Sequence, residues 1–325
     1  MESIYEYYGV DVSQKSLQIA LLKVDGTWQE SSIANEISEI EIWLSSINLG
    51  QSCFVFEYTG TYSQRFTYCL NLVEAHFSIL TPQQSKGFSQ SLKKIAKTDK
   101  QDARSLALYG QKMTPLQTIV ADESLHQKRQ KYKHLSALKA NKQAFGNRMH
   151  ALSYDPMADK TVVDSIDEII DFLDLQIQKI HQELFTIDDD EFDRIQKIMT
   201  QVTGIGIASA QSLIIATNGF KDFENSKQVS KFIGTSPTDR QSGTSLKGKG
   251  TINKSGISYV RTTLYLAAMN AVRFNNACKE LYTRLRAKGK PFKVAIVAAI
   301  NKLIKQLFAV VKNNTAFDNK LALTK

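Results

Sequence analysis

The stretch YYGVDVSQKSLQIALLKV, residues 7–24, sets two apolar runs on either side of a short polar turn. Such runs, rich in Val, Ile, Tyr and Leu, read as two strands joined by that turn. The first carries an acid, Asp11, among mostly apolar neighbours. An ionised carboxylate in that setting is costly unless it is paired, hydrogen-bonded or coordinating a metal. The acid therefore needs company, and the rest of the chain shows where it could come from.

Outward from this pair, TWQESSIA (residues 27–34) reads as a third strand and residues 36–47 as an amphipathic helix. SCFVFEY (52–58) is a buried strand, YSQRFTYCLNLVEAH (62–76) a helix, FSILT (77–81) a strand and KTDKQDARSLALYG (97–110) another helix. Alternation of this kind specifies an α/β domain on a mixed sheet, assigned to residues 1–115. The reading then changes to two long helical stretches, 121–152 and 162–185, broken at SYDPMADK (153–160). They predict an antiparallel helical arm or a coiled-coil dimer element over residues 116–195. The acidic run IDDDEFD (187–193) has no apolar frame to hold its carboxylates together, and reads as a solvated helix start, not a metal site. Residues 196–325 are helical, with a Gly, Ser and Lys-rich insert at 244–261.

The net charge of +9 is unevenly spread. Residues 240–325 hold 17 Lys and Arg against 2 acids, a net of +15, which leaves 24 basic and 30 acidic residues elsewhere, a net of −6. That concentration of positive charge is the footprint of a nucleic-acid partner. Cys53, Cys69 and Cys278 are scattered, so no disulfide framework or zinc site is indicated and a reducing cytoplasm is expected. No basic region followed by an apolar stretch opens the chain, and no run of about 18 uncharged apolar residues occurs; no membrane partner is expected.

Four acids deserve joint treatment. Glu57 ends the strand SCFVFEY as Asp11 sits in the first, while Asp99 and Asp102 lie three residues apart and so share a helix face. Thr98 can cap that helix, and acids suit its positive end. On an α/β sheet, acids on strands and on a helix packed over them can converge, and such hard oxygen ligands hold Mg²⁺, which completes its shell with waters and substrate phosphates. Two such ions stabilise both the attacking and the leaving oxygens of phosphoryl transfer.

In the C-terminal half, QVTGIGIASAQSLI (201–214) has the form of a helix-hairpin-helix, with Gly204 and Gly206 making a tight turn into a phosphate-binding helix start. A plain helix-helix turn, with glycines for close packing, is an equal reading. In DRQSGTSLKGKGTINKSGISYVR (239–261), Ser242, Ser245 and Ser255 stand among Arg240, Lys247, Lys249, Lys254 and Arg261, the composition of a phosphate-contacting loop.

The order GVDVS, FEYTGTYS and KTDKQDARSLA, followed by IMTQVTGIGIASAQSLI and KFIGTSPTDRQSGTSLKGKGTINKSGISYVRTTLYLAAMNAV, resembles the DEDD-type insertion-sequence transposases, the family that includes the Piv invertase. The resemblance implies a RuvC-like (RNase H) N-terminal domain and a C-terminal transposase domain. It implies an enzyme that cleaves and rejoins donor and target DNA with Mg²⁺ held by Asp11, Glu57, Asp99 and Asp102. It further implies a serine nucleophile that aligns with Ser242, with Ser245 the nearby alternative, and phosphate or structural roles for Arg240 and Arg261. Homodimers pairing into tetramers, a structured guide (bridge) RNA and a cytoplasmic, nucleoid-associated location complete the expectation. A structure-specific endonuclease that uses the same acids with water as nucleophile is the competing reading.

Overall fold

The computed structural model describes residues 6–23, 25–92, 98–120, 123–185, 190–238, 241–242, 246–247, 251–252 and 256–320. The chain divides into two compact units, Met1–Ala121 and Asp122–Lys325.

In the first unit, strands β1 (Glu6–Val12), β2 (Ser16–Leu22), β3 (Trp28–Ala34), β4 (Ser52–Glu57) and β5 (His76–Leu80) form one sheet in the order β3-β2-β1-β4-β5. The β1–β2 and β2–β3 pairs are antiparallel, whereas β1–β4 and β4–β5 are parallel. The turn after β1 is held by Ser13, whose hydroxyl accepts from the Ser16 amide at 3.0 Å. Alternation along the strands divides the sheet into two faces. Tyr8, Val10, Val12, Phe54 and Phe56 bury against Ile40 and Leu44 of α1 (Ile37–Ser45) and Phe66, Cys69 and Leu70 of α2 (Gln64–Leu72). On the opposite face Cys53, Val55 and Leu80 pack with Leu106 of α4 (Asp99–Met113), beside Tyr7 and Tyr109.

Helix α3 (Pro82–Ser91) is an element that the strand-and-helix reading of the sequence passed over. Its signal is TPQQ: Thr81 accepts from the Gln84 amide, Gln84 reaches back to the Thr81 amide, and Pro82 takes the first helical position. The outer edge of β5 is covered by residues 115–120, where the Thr118 amide donates to the Phe77 carbonyl at 2.8 Å and the Thr118 hydroxyl accepts from the Ile79 amide at 2.8 Å. This removes an open edge that could pair with another chain.

The second unit is mostly helical. Helices α5 (Glu123–Leu152) and α6 (Lys160–Phe185) run antiparallel, as the ion pairs Lys131–Glu183 at 3.1 Å and Lys142–Asp174 at 2.5 Å require. Asp159 starts α6 by accepting from the Thr161 amide at 2.8 Å. At the root of the pair, Arg129 donates to the Ile215 and Ala216 carbonyls at 3.1 and 2.9 Å, and the Tyr132 and Tyr259 rings lie 4.9 Å apart.

The core of this unit gathers α7 (Asp190–Thr200), α8 (Ile207–Thr217), α9 (Ser226–Ile233), α10 (Ser258–Phe274), α11 (Asn276–Ala287) and α12 (Phe292–Asn313) around Met199, Leu213, Ile233, Leu264 and Leu303. The acids Asp190, Glu191 and Asp193 occupy the first turn of α7, and Glu191 pairs with Lys221 at 2.6 Å, so residues 190–193 of this run are a helix start, while 187–189 lie outside the described residues. Helix α12 matches a membrane span in length and apolar composition. Its buried stripe, Ile296, Ile300, Leu303, Ile304 and Leu307, is nonetheless the centre of the core, and Lys293, Lys302, Lys305 and Lys312 punctuate it.

Between α9 and α10 the chain forms short antiparallel ladders. Strand β6 (Pro237–Thr238) pairs with β9 (Thr251–Ile252), and β7 (Gln241–Ser242) pairs with β8 (Leu246–Lys247). These two described strand pairs are together termed the ribbon, with β6 and β9 at its base.

Candidate active site

Close packing fixes where the four acids stand. Gly9, in the middle of β1, leaves room for helix α4: a Cβ there would lie 2.0 Å from the Ala103 carbonyl oxygen and 2.2 Å from the Ala107 amide nitrogen. Eleven residues into the same helix, a Cβ on Gly110 would lie 2.5 Å from the Tyr7 ring and 2.9 Å from Val55 Cγ2. Gly110 thus sits at the level of Tyr7, and Ala103–Ala107 at the level of Gly9. Helix α4 runs antiparallel to β1, its first turn pointing toward the C-terminal ends of β1 and β4.

Those ends carry Asp11 and Glu57. Asp11 shares the α4 face with Tyr7 and Gly9 by strand alternation, and Glu57 shares it with Val55. The parallel register places Val10 beside Phe56, so the two acids are neighbours one step further on. From Gly9 to Asp11 a strand rises about 6.6 Å. A helix covers that distance in about four residues, which brings the Asp99–Asp102 turn to the level of Asp11. Periodicity agrees, since Asp99, Asp102, Leu106 and Gly110 fall on one stripe of α4 and the last two are its buried, sheet-facing members. Asp11, Glu57 and Asp102 are half-buried and Asp99 is exposed.

The helix start is built as its sequence indicates. Thr98 accepts from the Gln101 amide at 3.3 Å and its carbonyl accepts from the Asp102 amide at 2.9 Å. Arg104 is engaged elsewhere: its Nε donates to Glu30 at 2.6 Å and its guanidinium lies 5.2 Å from the Trp28 ring centre, which ties α4 to β3.

Asp11, Glu57, Asp99 and Asp102 are hard oxygen donors of the kind that Mg²⁺ takes. Among the described residues no three His, Cys, Asp or Glu side chains enclose a metal position by themselves. An open arrangement of this kind fits an ion that takes one or two carboxylates and completes its shell from water and phosphate. Thr59, two residues past Glu57, buries its hydroxyl with no hydrogen-bond partner, so polar capacity is left at this strand end. At the same end of β1 a cavity of about 440 Å³ opens between Gln14, Lys15, Asn35, Tyr62 and Arg65. Asn35, which sequence reasoning missed, closes its floor by donating to the Ser13 carbonyl at 2.8 Å and the Tyr62 carbonyl at 3.0 Å.

In the second unit the glycine pair divides. Gly204 has φ +103°, and a Cβ there would meet Ala271 Cβ at 2.6 Å, so it serves close packing on α10. Gly206 precedes α8 in extended conformation, with open space around its Cβ position. Arg261 donates to the Ile233 carbonyl at 2.9 Å, a structural contact at the end of α9. Ser242 lies on β7 opposite Leu246, and Lys247 on β8 opposite Gln241; for these two the backbone alone is described. Arg240, Ser245, Lys249, Lys254 and Ser255 lie outside the described residues. A second cavity, of about 260 Å³, adjoins the foot of the ribbon between Thr235, Ile252, Arg261, Tyr265 and Leu266.

The cysteines do not compete as nucleophiles. All three are buried, and burial pushes the thiol of Cys53 up to about 11 and that of Cys278 up to about 12, far from the depressed values that make a thiolate.

Two family models match successive parts of the chain. Residues 8–152 match a transposase family model of the DEDD IS110 type. Residues 196–283, which include the ribbon, match the model described as Transposase IS116/IS110/IS902 family. The pilin gene-inverting protein of Moraxella bovis is 27% identical over 334 residues, covering 97% of this chain and 98% of that protein. Its counterpart in Moraxella lacunata is 26% identical over the same span. An uncharacterized 43.6 kDa protein of insertion element IS110 from Streptomyces coelicolor is 22% identical over 177 residues, 52% of this chain and 44% of that protein.

Proposed function

The chain belongs to the IS110-type family of DEDD transposases and recombinases, and from that premise we propose that it cleaves and rejoins DNA through Ser242, assisted by a Mg²⁺ site on Asp11, Glu57, Asp99 and Asp102. The observation that carries the proposal is the antiparallel seating of α4 on Gly9, which brings the turn holding Asp99 and Asp102 to the level of Asp11 and Glu57. The strand order β3-β2-β1-β4-β5, with β2 antiparallel to its neighbours and β4 and β5 parallel to β1, supports a RuvC-like reading of this unit.

When bound, Mg²⁺ would neutralise charge on the phosphate oxygens and hold the scissile group in line. The chain's own groups do the rest. The Ser242 hydroxyl attacks phosphorus; its new O–P bond forms as the bond from phosphorus to the leaving sugar oxygen breaks. The serine proton passes, by way of a carboxylate, to that sugar oxygen. Because the phosphoester is conserved, a sugar hydroxyl of another strand can reverse the step and rejoin DNA without an external energy source. Cations at Arg240, Lys247, Lys249 and Lys254, with the α8 start at Gly206, would hold the backbone of the strand without reading its bases. Sequence choice then falls to a structured guide RNA, for which the +15 of residues 240–325 is equally suited. The α5–α6 pair is the dimerisation element in this reading, dimers pairing into tetramers so that acids and serine come from separate units of the assembly.

The test uses supercoiled plasmid carrying the DNA that flanks the gene, with any RNA that copurifies. Wild-type protein should yield a covalent protein–DNA adduct in Mg²⁺; Ser242→Ala should yield none while binding the plasmid as before. An adduct that survives the substitution overturns the serine assignment, and nicks without any adduct indicate attack by water.

A further inference from the structure

The two feet of the ribbon both close on the end of α9. On the entering side, Thr235 is buried, and its amide donates to the Ser230 carbonyl at 2.9 Å. Its hydroxyl donates to Asn301 Oδ1 at 2.8 Å, while Asn301 Nδ2 donates back to the Thr235 carbonyl at 3.1 Å. On the leaving side, Gly256 is pressed against the same helix end, where a Cβ would lie 2.2 Å from the Ile233 carbonyl carbon. Arg261 completes that side by donating to the Ile233 carbonyl.

The Thr235–Asn301 pair is chemically unlike the packing around it. Asn301 stands on α12, one residue from the buried Ile300 and two from the buried Leu303, yet it presents an amide to a single backbone position outside the helix core. Two reciprocal bonds fix both the φ/ψ and the height of Thr235. Strand β6 begins two residues later, and β7, with Ser242, follows on the same arm of the ribbon. Helix α12 supplies Ile296, Ile300, Leu303, Ile304 and Leu307 to the core of the unit, so the pair ties the ribbon to a core helix.

Resting on the serine reading above, we infer that Thr235 and Asn301 are positioning residues: their bond pair sets the height and direction from which the ribbon presents Ser242 to phosphorus. A ribbon free at one foot would still carry its cations and still bind DNA, but its hydroxyl would wander from the line of attack. Misplacement by about 1 Å is enough to cost about 100-fold in rate.

The experiment compares Thr235→Val, which keeps shape and removes the hydroxyl, with Thr235→Ser, which restores it, and with Asn301→Leu. Adduct formation is timed at saturating flanking-DNA plasmid, alongside DNA affinity and melting temperature. Thr235→Val should slow adduct formation about 10- to 100-fold with affinity within about twofold of wild type, Thr235→Ser should recover most of the rate, and Asn301→Leu, which removes both bonds, should slow it at least as much, with Thr235→Val adding little to Asn301→Leu because its bond is already gone. Wild-type rates in Thr235→Val, equal slowing in Thr235→Ser, or parallel loss of rate, affinity and melting temperature would each overturn the inference while leaving Ser242 in place. An adduct retained by Ser242→Ala would overturn both readings, and that control separates the two failures.

Discussion

Gly9 and Ala103 are in backbone contact: a Cβ on the glycine would come within 2.0 Å of the alanine carbonyl oxygen. Any side chain at residue 9 must lift α4 from β1, and with it the turn that carries Asp99 and Asp102. Gly9→Ala should therefore destabilise the first unit by about 1–3 kcal/mol, the usual range for overpacking, as read by urea unfolding. It should also lower DNA cleavage by more than the folded fraction accounts for. Full cleavage by the folded variant would show that the height of α4 over the strand ends does not matter.

The acids make a separate prediction, because they lie at the rim of the core and not within it. Asp102→Asn and Glu57→Gln should leave the melting temperature nearly unchanged and reduce cleavage by about 100-fold or more, the scale on which loss of electrostatic stabilisation at a reacting phosphate is felt. Chelation of Mg²⁺ should abolish cleavage, and adding it back should restore activity in wild type only. A chelator-resistant cleavage would remove the metal from the proposal.

Much of this was legible in the sequence, for reasons that can be named. Strands β1, β2, β4 and β5 announce themselves through short apolar runs, and the Thr98 cap with its two acids marks the start of α4. What could not be read was height. Periodicity places Asp99 and Asp102 on one stripe but does not say which strand residue they meet; that is decided by Gly9 and Gly110, two contacts distant in sequence. Glycine inside the strand YYGVD was the available signal, since a strand interior gives up packing there only for close approach of another backbone. Arg104, two residues past Asp102, is held by Glu30 and Trp28 of β3, which no local sequence pattern links to it. The helix α3 was missed because its body is polar and its start signal is a capping box and not an apolar period.

The glycine pair before α8 separates packing from phosphate contact. Gly204 combines a positive φ with a Cβ position 2.6 Å from Ala271 Cβ. Gly204→Ala should cost about 1–3 kcal/mol, since strain and overpacking add. Gly206→Ala meets open space at an ordinary backbone angle and should be stable within about 0.5 kcal/mol, as for other surface changes. If the α8 start holds a phosphate, Gly206→Asp should weaken DNA binding measurably at low salt while its fold is kept. Unchanged affinity and salt slope in Gly206→Asp would leave this turn a packing device alone.

The contact of Tyr132 with Tyr259 at the root of the α5–α6 pair gives a pH prediction. Burial pushes the Tyr259 hydroxyl up to about 12 and raises that of Tyr132, because neither phenolate can be solvated there. The unfolded chain loses a Tyr proton near pH 10, whereas folded Tyr259 keeps its own to about 12. Between those values the folded state binds more protons than the unfolded one, so stability must fall as pH rises. The contribution is fully present below pH 10 and lost as pH passes the folded value; a shift of this size corresponds to roughly 2–3 kcal/mol. Tyr259→Phe should flatten the fall in denaturation midpoint across that window relative to wild type, while costing little near neutral pH, since the ring contact with Tyr132 is kept. Equal alkaline slopes in the two proteins would place the titrating group elsewhere and would mean that water reaches the Tyr259 hydroxyl at the root of the arm.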